Sequence, residues 1–172
     1  SIYASVSFTI AENVESLILT GAAAINATGR DDASDILAGN SGGNIIDGRA
    51  GGDNMTGGAG DDQFYADTSA DVVNEASGAG SGYDTIFSMS GYTIAANVER
   101  LILLGTANYN ADGRDLQNDW LTGNSGANIL RGLSGNDVLD GGAGGDNMTG
   151  GLGSDFYYAD TSADVVNELA GA

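Results

Sequence analysis

The chain has 172 residues, 24 acids against five basic residues, a net charge of −19 and 29 glycines, with no Pro, Cys or His. The acidic excess excludes nucleic acid and anionic membrane surfaces as partners and invites cations. The missing Cys excludes a disulfide scaffold and thiolate metal sites. No run of about 18 apolar residues is present, so no segment is expected to insert in a membrane. All five basic residues are arginines. Without His, Cys or Lys the usual nucleophile–base pairs and zinc-hydrolase ligands are missing, and the chain is read as non-enzymatic.

The sequence opens at Ser1 without Met or leader, in mid-pattern, and reads as part of a longer protein. Phe8–Leu19 alternates apolar and polar residues like a strand. Its end, "NVESLIL" from Asn13, returns as "NVERLIL" from Asn97, 84 residues on. From Gly39 the chain falls into nines: "GNSGGNIID", "GRAGGDNMT", "GGAGDDQFY". The stretch "ADTSADVVNE" from Ala66 follows, and Tyr92–Leu103 repeats the alternation. From Gly123 four more nines run to Tyr158, one of them, Gly132–Asp140, without a counterpart in the first copy. "ADTSADVVNE" then returns at Ala159, 93 residues after its first appearance. The expected organisation is a first module over 1–84 (roll about 15–65, spacer 66–84) and a second over 85–172 (roll about 99–158, spacer 159–172).

Internal repeats with an in-phase insertion are the mark of a solenoid. Position 6 of each nine is Asn44, Asp53, Asp62, Asn128, Asp137, Asp146 or Asp155. Position 8 is Ile46, Met55, Phe64, Leu130, Leu139, Met148 or Tyr157. Continued backward, the phase assigns position 8 to Leu37, Thr28, Leu19, Leu121, Asp112 and Leu103. It assigns position 6 to Asp35, Asn26, Asp119 and Asn110. Glycines at positions 1, 2 and 4 permit a tight turn, and positions 7–9 form a short strand with position 8 inward. Two nines make one winding, so turns eighteen residues apart stack about 4.8 Å from each other. Stacked carboxylates repel; a hard dication between turns reverses the sign, because Ca²⁺ takes six to eight oxygens at about 2.3–2.6 Å.

The units "GGAGGDNMT", "GGAGDDQFY" and "GGLGSDFYY" resemble the RTX (repeats-in-toxin) nonapeptide G-G-x-G-x-D-x-U-x, in which U is a large apolar residue. The resemblance implies an all-β fold, a right-handed parallel β-roll with Ca²⁺ in its turns, on an extracellular protein exported by type I secretion. Carried onto this sequence, the ligands are Asp35, Asn44, Asp53, Asp62, Asp119, Asn128, Asp137, Asp146 and Asp155. Backbone carbonyls of Gly48, Ala50, Gly51, Gly57, Gly60, Gly132, Gly135, Gly141, Ala143, Gly144, Gly150 and Gly153 complete the set. Asp119, Asp137 and Asp155 form one stack, as do Asp35 and Asp53. Sites with Asn44 or Asn128 opposite Asp62 or Asp146 are expected to be weaker. Asn26–Asn44 and Asn110–Asn128 read as hydrogen-bonded amide ladders.

Several residues stand outside this scheme. Asp67, Asp71 and Glu75, with their copies Asp160, Asp164 and Glu168, are read as a solvated acidic face or, less favourably, a peripheral ion site. Trp120 and Val138 at position 7 point outward, covered by flanking strands or forming an aromatic face with Tyr109. Arrays resembling this one accompany exopolysaccharide-modifying enzymes and surface proteins, so an extracellular polysaccharide is the alternative partner.

Overall fold

The computed structural model describes residues 1–31, 33–78 and 80–169, and among them no helix occurs. The chain forms two units, Ser1–Phe87 with Ala95–Val98, and Ser88–Ile94 with Glu99–Ala172. In the first, the strands in chain order are β1 (Ile2–Ala4), β2 (Phe8–Thr9), β3 (Ser16–Leu19), β4 (Ala27–Thr28), β5 (Ile36–Ala38), β6 (Ile45–Asp47), β7 (Asn54–Thr56), β8 (Gln63–Ala66), β9 (Val72–Asn74) and β10 (Thr85–Ser88). Odd strands pair in parallel in the order β1-β3-β5-β7-β9, and even strands from β2 to β10 make the facing sheet. The second unit has β11 (Tyr92–Thr93), β12 (Arg100–Leu103), β13 (Asn110–Asp112), β14 (Trp120–Thr122), β15 (Ile129–Ser134), β16 (Val138–Asp140), β17 (Asn147–Leu152), β18 (Phe156–Tyr158) and β19 (Val165–Asn167). Its sheets are β12-β14-β16-β18 and β11-β13-β15-β17-β19. Alternation of successive strands between two parallel sheets is a β-solenoid, as the nine-residue period requires.

Within the glycine-rich nines the register is eighteen residues: Leu37 pairs with Met55, Ile46 with Phe64, Leu130 with Met148, and Leu121 with Leu139. All eight side chains are fully buried. A three-residue strand offers one inward position, so each winding adds one apolar residue to each half of the core. Burying each such side chain contributes roughly 1.5–3 kcal/mol, enough in series to hold strands too short to persist alone.

The backward continuation of the nine-residue phase is corrected by the pairing. Leu37 sits on Leu17, not Leu19, and Ile46 on Ala27, not Thr28. Likewise Leu121 pairs with Leu101 instead of Leu103, and Leu130 with Ala111 instead of Asp112. These windings are nineteen or twenty residues long, because their turns lack the glycines that fix a six-residue turn. Asp112 faces outward, where its carboxylate accepts from Arg131 Nη1 at 2.7 Å. The expected alternating strands are each broken in two, with Asn13 (φ 59°) and Asn97 (φ 62°) in the left-handed conformation between β2 and β3 and between β11 and β12. Asn tolerates that conformation better than other side chains do.

The stack runs on past Tyr65. β9 pairs in register with β7, and β19 with β17. This continuation brings Asp71 and Asp164, read above as spacer acids, into the turn ladders.

Candidate metal centre

Each position-6 aspartate of the glycine-rich nines reaches back to the turn beneath it. The Asp35 N–H donates to Asp53 Oδ1 at 2.7 Å, and the Asp53 N–H to Asp71 Oδ1 at 2.9 Å. On the other edge the Asn44 N–H donates to Asp62 Oδ1 at 2.6 Å. The second unit repeats the rule: Asp119 N–H to Asp137, Asp137 N–H to Asp155, and Asn128 N–H to Asp146, each at 2.8 Å. Asp146 N–H continues to Asp164 Oδ1 at 3.0 Å. Seven carboxylates are thereby held in a fixed rotamer by main chain.

One oxygen of each of these carboxylates is used in this way. The second, Oδ2 of Asp53, Asp62, Asp137, Asp146 and Asp155, is buried and accepts no hydrogen bond. In Asp119 the orphan is Oδ1, because Oδ2 accepts from the Arg114 N–H at 2.7 Å. A buried carboxylate oxygen without a donor is strongly unfavourable. Six such atoms, distributed over the turn ladders of the two units, call for cations.

The first glycine of each nine provides the room. A Cβ on Gly48 would stand 2.7 Å from Asp53 Oδ2, and one on Gly141 2.6 Å from Asp146 Oδ2. On Gly132 it would overlap Asp137 Oδ2 and lie 2.7 Å from the carbonyl oxygen of Gly150. Carboxylate and carbonyl oxygens therefore converge on space that only glycine leaves open. This donor set, hard oxygens without nitrogen or sulfur, suits Ca²⁺. Tight stacking at position 4 has the same origin: Gly144 has φ 138°, and a Cβ there would meet the Gly126 carbonyl at 2.5 Å.

Other expected ligands are placed differently. Asp35 has its own cation: Oδ1 lies 3.3 Å from Arg30 Nη2, and Oδ2 accepts the Arg30 N–H at 2.7 Å. Asn44 Oδ1 accepts from the Asn40 N–H at 2.8 Å, and its Nδ2 donates to the Ile25 carbonyl at 2.6 Å. Asn128 does the same with Asn124 and Tyr109. Both amides close their own turns. No Asn26–Asn44 amide pair forms; Asn26 Oδ1 accepts from the Ile45 N–H at 3.2 Å. Gly51 and Gly144 carbonyls accept from the Thr68 and Thr161 hydroxyls, each at 3.0 Å. The carbonyls of Gly60 and Gly135 face Gly82 and Gly153 of the next turns, and that of Gly57 faces Gly39. Ala50 and Ala143 occupy the third positions of these turns, Ala143 exposed.

Electrostatics agree with the geometry. Burial, then the Asp119 and Asp155 charges, push the Asp137 carboxyl up to about 6. Burial with Asp71, Asp35 and Asp67 raises Asp53 to about 6. Asp62 rises to about 7, from burial and then Glu75 and Asp61. Backbone donors oppose each shift without cancelling it. Burial raises Asp119, Asp146 and Asp155 as well.

One acidic group was not assembled from the sequence. Carboxylate oxygens of Asp62, Glu75 and Asp84 lie within 4.8 Å of one another. Asp84 follows Asp62 by twenty-two residues instead of eighteen, so the nine-residue period passes over it.

Neither the curated proteins nor the solved structures contain a match to this chain. A family model, the RTX calcium-binding nonapeptide repeat in four copies, matches residues 31–64, 38–73, 115–148, 122–157 and 132–166, together more than half of the chain. With the buried oxygen ladders and glycine cradles in place, the assignment follows: the chain belongs to the family of RTX calcium-binding nonapeptide repeats, and is a calcium-binding β-solenoid module.

Proposed function

We propose that this module is a folding device for an extracellular protein exported by type I secretion, disordered at cytosolic Ca²⁺ and ordered by Ca²⁺ outside the cell. The position-6 aspartates and first-position glycine carbonyls hold the ions. Bound Ca²⁺ would supply the charge compensation; the chain's residues supply the rest. The aspartates orient one oxygen outward from the ladder, the glycines leave the space, and the position-8 side chains exclude water beneath. The carrying observation is the set of buried carboxylate oxygens without donors in the turn ladders; among the described residues, Asp119 alone of these has an arginine, Arg114, as a favourable charge. A chain of net charge −19 repels itself until cations bind, which keeps it extended for export. Ion binding is then folding energy.

Small-angle scattering during a Ca²⁺ titration tests this reading. The metal-free chain should have a radius of gyration of about 40 Å and contract by roughly half on loading. The midpoint should fall at about 10⁻⁴–10⁻³ M, the range of extracellular modules. A midpoint near or below about 10⁻⁶ M contradicts the secretion reading, since the chain would then fold inside the cell.

A second reading, contact with an acidic polysaccharide, has one supporting observation. Arg100, Trp120, Val138 and Phe156 share one register row on the outside of a sheet. The Arg100 guanidinium carbon lies 4.7 Å from the Trp120 ring centroid, and Trp120 and Phe156 are exposed. A flat ring beside a cation suits a uronate-type sugar. A glycan array with Ca²⁺-loaded protein should show signal that Trp120→Ala abolishes; no binding to any acidic glycan refutes it.

A further inference from the structure

We propose that Asp62, Glu75 and Asp84 form a three-carboxylate site for one hard divalent cation, at the seam where the nonapeptide windings of the first unit give way to a longer winding. This site extends the repeat position of Asp62 and Gly57 with two carboxylates, Glu75 and Asp84, that both lie outside the nonapeptides. It rests on the calcium-binding reading for the identity of the ion.

Each carboxylate is positioned by main chain through one oxygen. Asp62 Oδ1 accepts from the Asn44 N–H at 2.6 Å, and Asp84 Oδ1 from the Asp62 N–H at 2.8 Å. Glu75 Oε1 accepts from the Gly58 N–H at 2.9 Å and the Ala76 N–H at 2.7 Å. The Glu75 carbonyl is anchored by Asn97 Nδ2 at 3.2 Å. Oxygens of the three groups then meet within 4.8 Å. Asp62 is fully buried, and its Oδ2, which faces this space, has no hydrogen-bond partner. A Cβ on Gly57 would overlap both Asp62 Oδ2 and Glu75 Oε2, so the glycine keeps the space open.

The second copy shows what fills such a space otherwise. Asp155 and Glu168 repeat the spacing of Asp62 and Glu75, and Gly150 repeats Gly57. Tyr157 there replaces Phe64, and its hydroxyl donates to Glu168 Oε2 and accepts from the Gly150 N–H at 2.8 Å. A phenol hydroxyl thus engages Glu168, the counterpart of Glu75, where the phenyl ring of Phe64 offers no such donor.

The test is Ca²⁺ isothermal titration of the full chain, with circular dichroism at saturating Ca²⁺ confirming that each variant folds. Glu75→Gln and Asp84→Asn keep an oxygen for the main-chain donors. Each should remove one ion from the tight class or weaken it by at least about tenfold, since charge count sets Ca²⁺ affinity. Phe64→Tyr, which removes no ligand, should do the same by supplying the competing hydroxyl. Glu168→Gln should leave the tight class unchanged. Ca²⁺ number and affinity equal to wild type in Glu75→Gln overturn the seam site alone, as does an equal loss in Glu168→Gln. A wild-type chain that binds no Ca²⁺ overturns the calcium-binding reading itself.

Discussion

The backbone N–H of Asp119 donates to Asp137 Oδ1 at 2.8 Å, leaving Asp137 Oδ2 buried without a donor. The same aspartate is thus a structural rung and an unmet electrostatic demand. Asp137→Asn separates the two roles. An amide oxygen still accepts from Asp119 while the buried charge disappears. The variant should be more stable than wild type without metal at pH 7.5, by on the order of 2 kcal/mol. It should be less stabilised by Ca²⁺. Sucrose-induced folding without metal, and urea unfolding with Ca²⁺, check both signs; equal losses in both conditions would mean that the carboxylate acts only as a rung.

Protons and Ca²⁺ should substitute for each other. Asp62 is held near 7 and Asp53 and Asp137 near 6, against an ordinary value of 3.8. Between about pH 4 and 7 the folded metal-free chain therefore binds more protons than the unfolded one, and its stability rises as pH falls through that window. Metal-free protein should show more β structure by circular dichroism at pH 5 than at pH 7.5. Its Ca²⁺ midpoint should shift upward on the same acidification. Lower metal-free stability at pH 5 would contradict the assigned burial of these groups.

Gly132→Ala should impair ion binding without altering any ligand. The added Cβ would lie on Asp137 Oδ2 and 2.7 Å from the Gly150 carbonyl. Gly91→Ala is the control, since its Cβ would meet nothing closer than 3.5 Å. Ca²⁺ titrations should show a weakened response only in the first. Identical titrations for the two variants would remove the glycine cradle from the account.

Arg30 acts as a resident cation for Asp35, whose side chain is fully buried against a guanidinium only 15% exposed. Arg30→Met should destabilise the metal-free chain by about 3 kcal/mol, the scale for leaving a buried charge unpaired. Saturating Ca²⁺ should recover part of that loss. Sucrose-induced folding without metal and thermal unfolding with Ca²⁺ read the difference; a loss that Ca²⁺ does not reduce would show that the turn at Asp35 accepts no ion.

The legible part of this protein is the part whose turns are glycine-fixed. From Leu37 to Phe64 and from Leu121 to Tyr157, a six-residue turn and a three-residue strand leave no freedom in the count, and the register follows. Upstream, Ala27 and Ala111 take inward positions that the period assigned to Thr28 and Asp112. Turns without glycine can absorb one or two residues, and spacing alone does not say where. Asp71 and Asp164 were within reach, each eighteen residues beyond a ladder aspartate, although their turns contain no glycine motif. Asp84 was not, because a four-residue insertion moves it off the period. The satisfied amides of Asn44 and Asn128 depend on local turn donors, Asn40 and Asn124, that a ladder pattern does not reveal.

The central claim is that ion binding orders this chain, and far-UV circular dichroism of metal-stripped protein titrated with Ca²⁺, with Mg²⁺ as control, tests it most directly. The account predicts a coil-like spectrum that becomes β-rich cooperatively with Ca²⁺ and stays coil-like with Mg²⁺, whose strict octahedral, water-retaining coordination suits these turns poorly. A metal-stripped chain that is already β-rich and unchanged by Ca²⁺ would contradict it, and would leave the apolar ladders from Leu37 and Leu121 onward as the whole source of the fold.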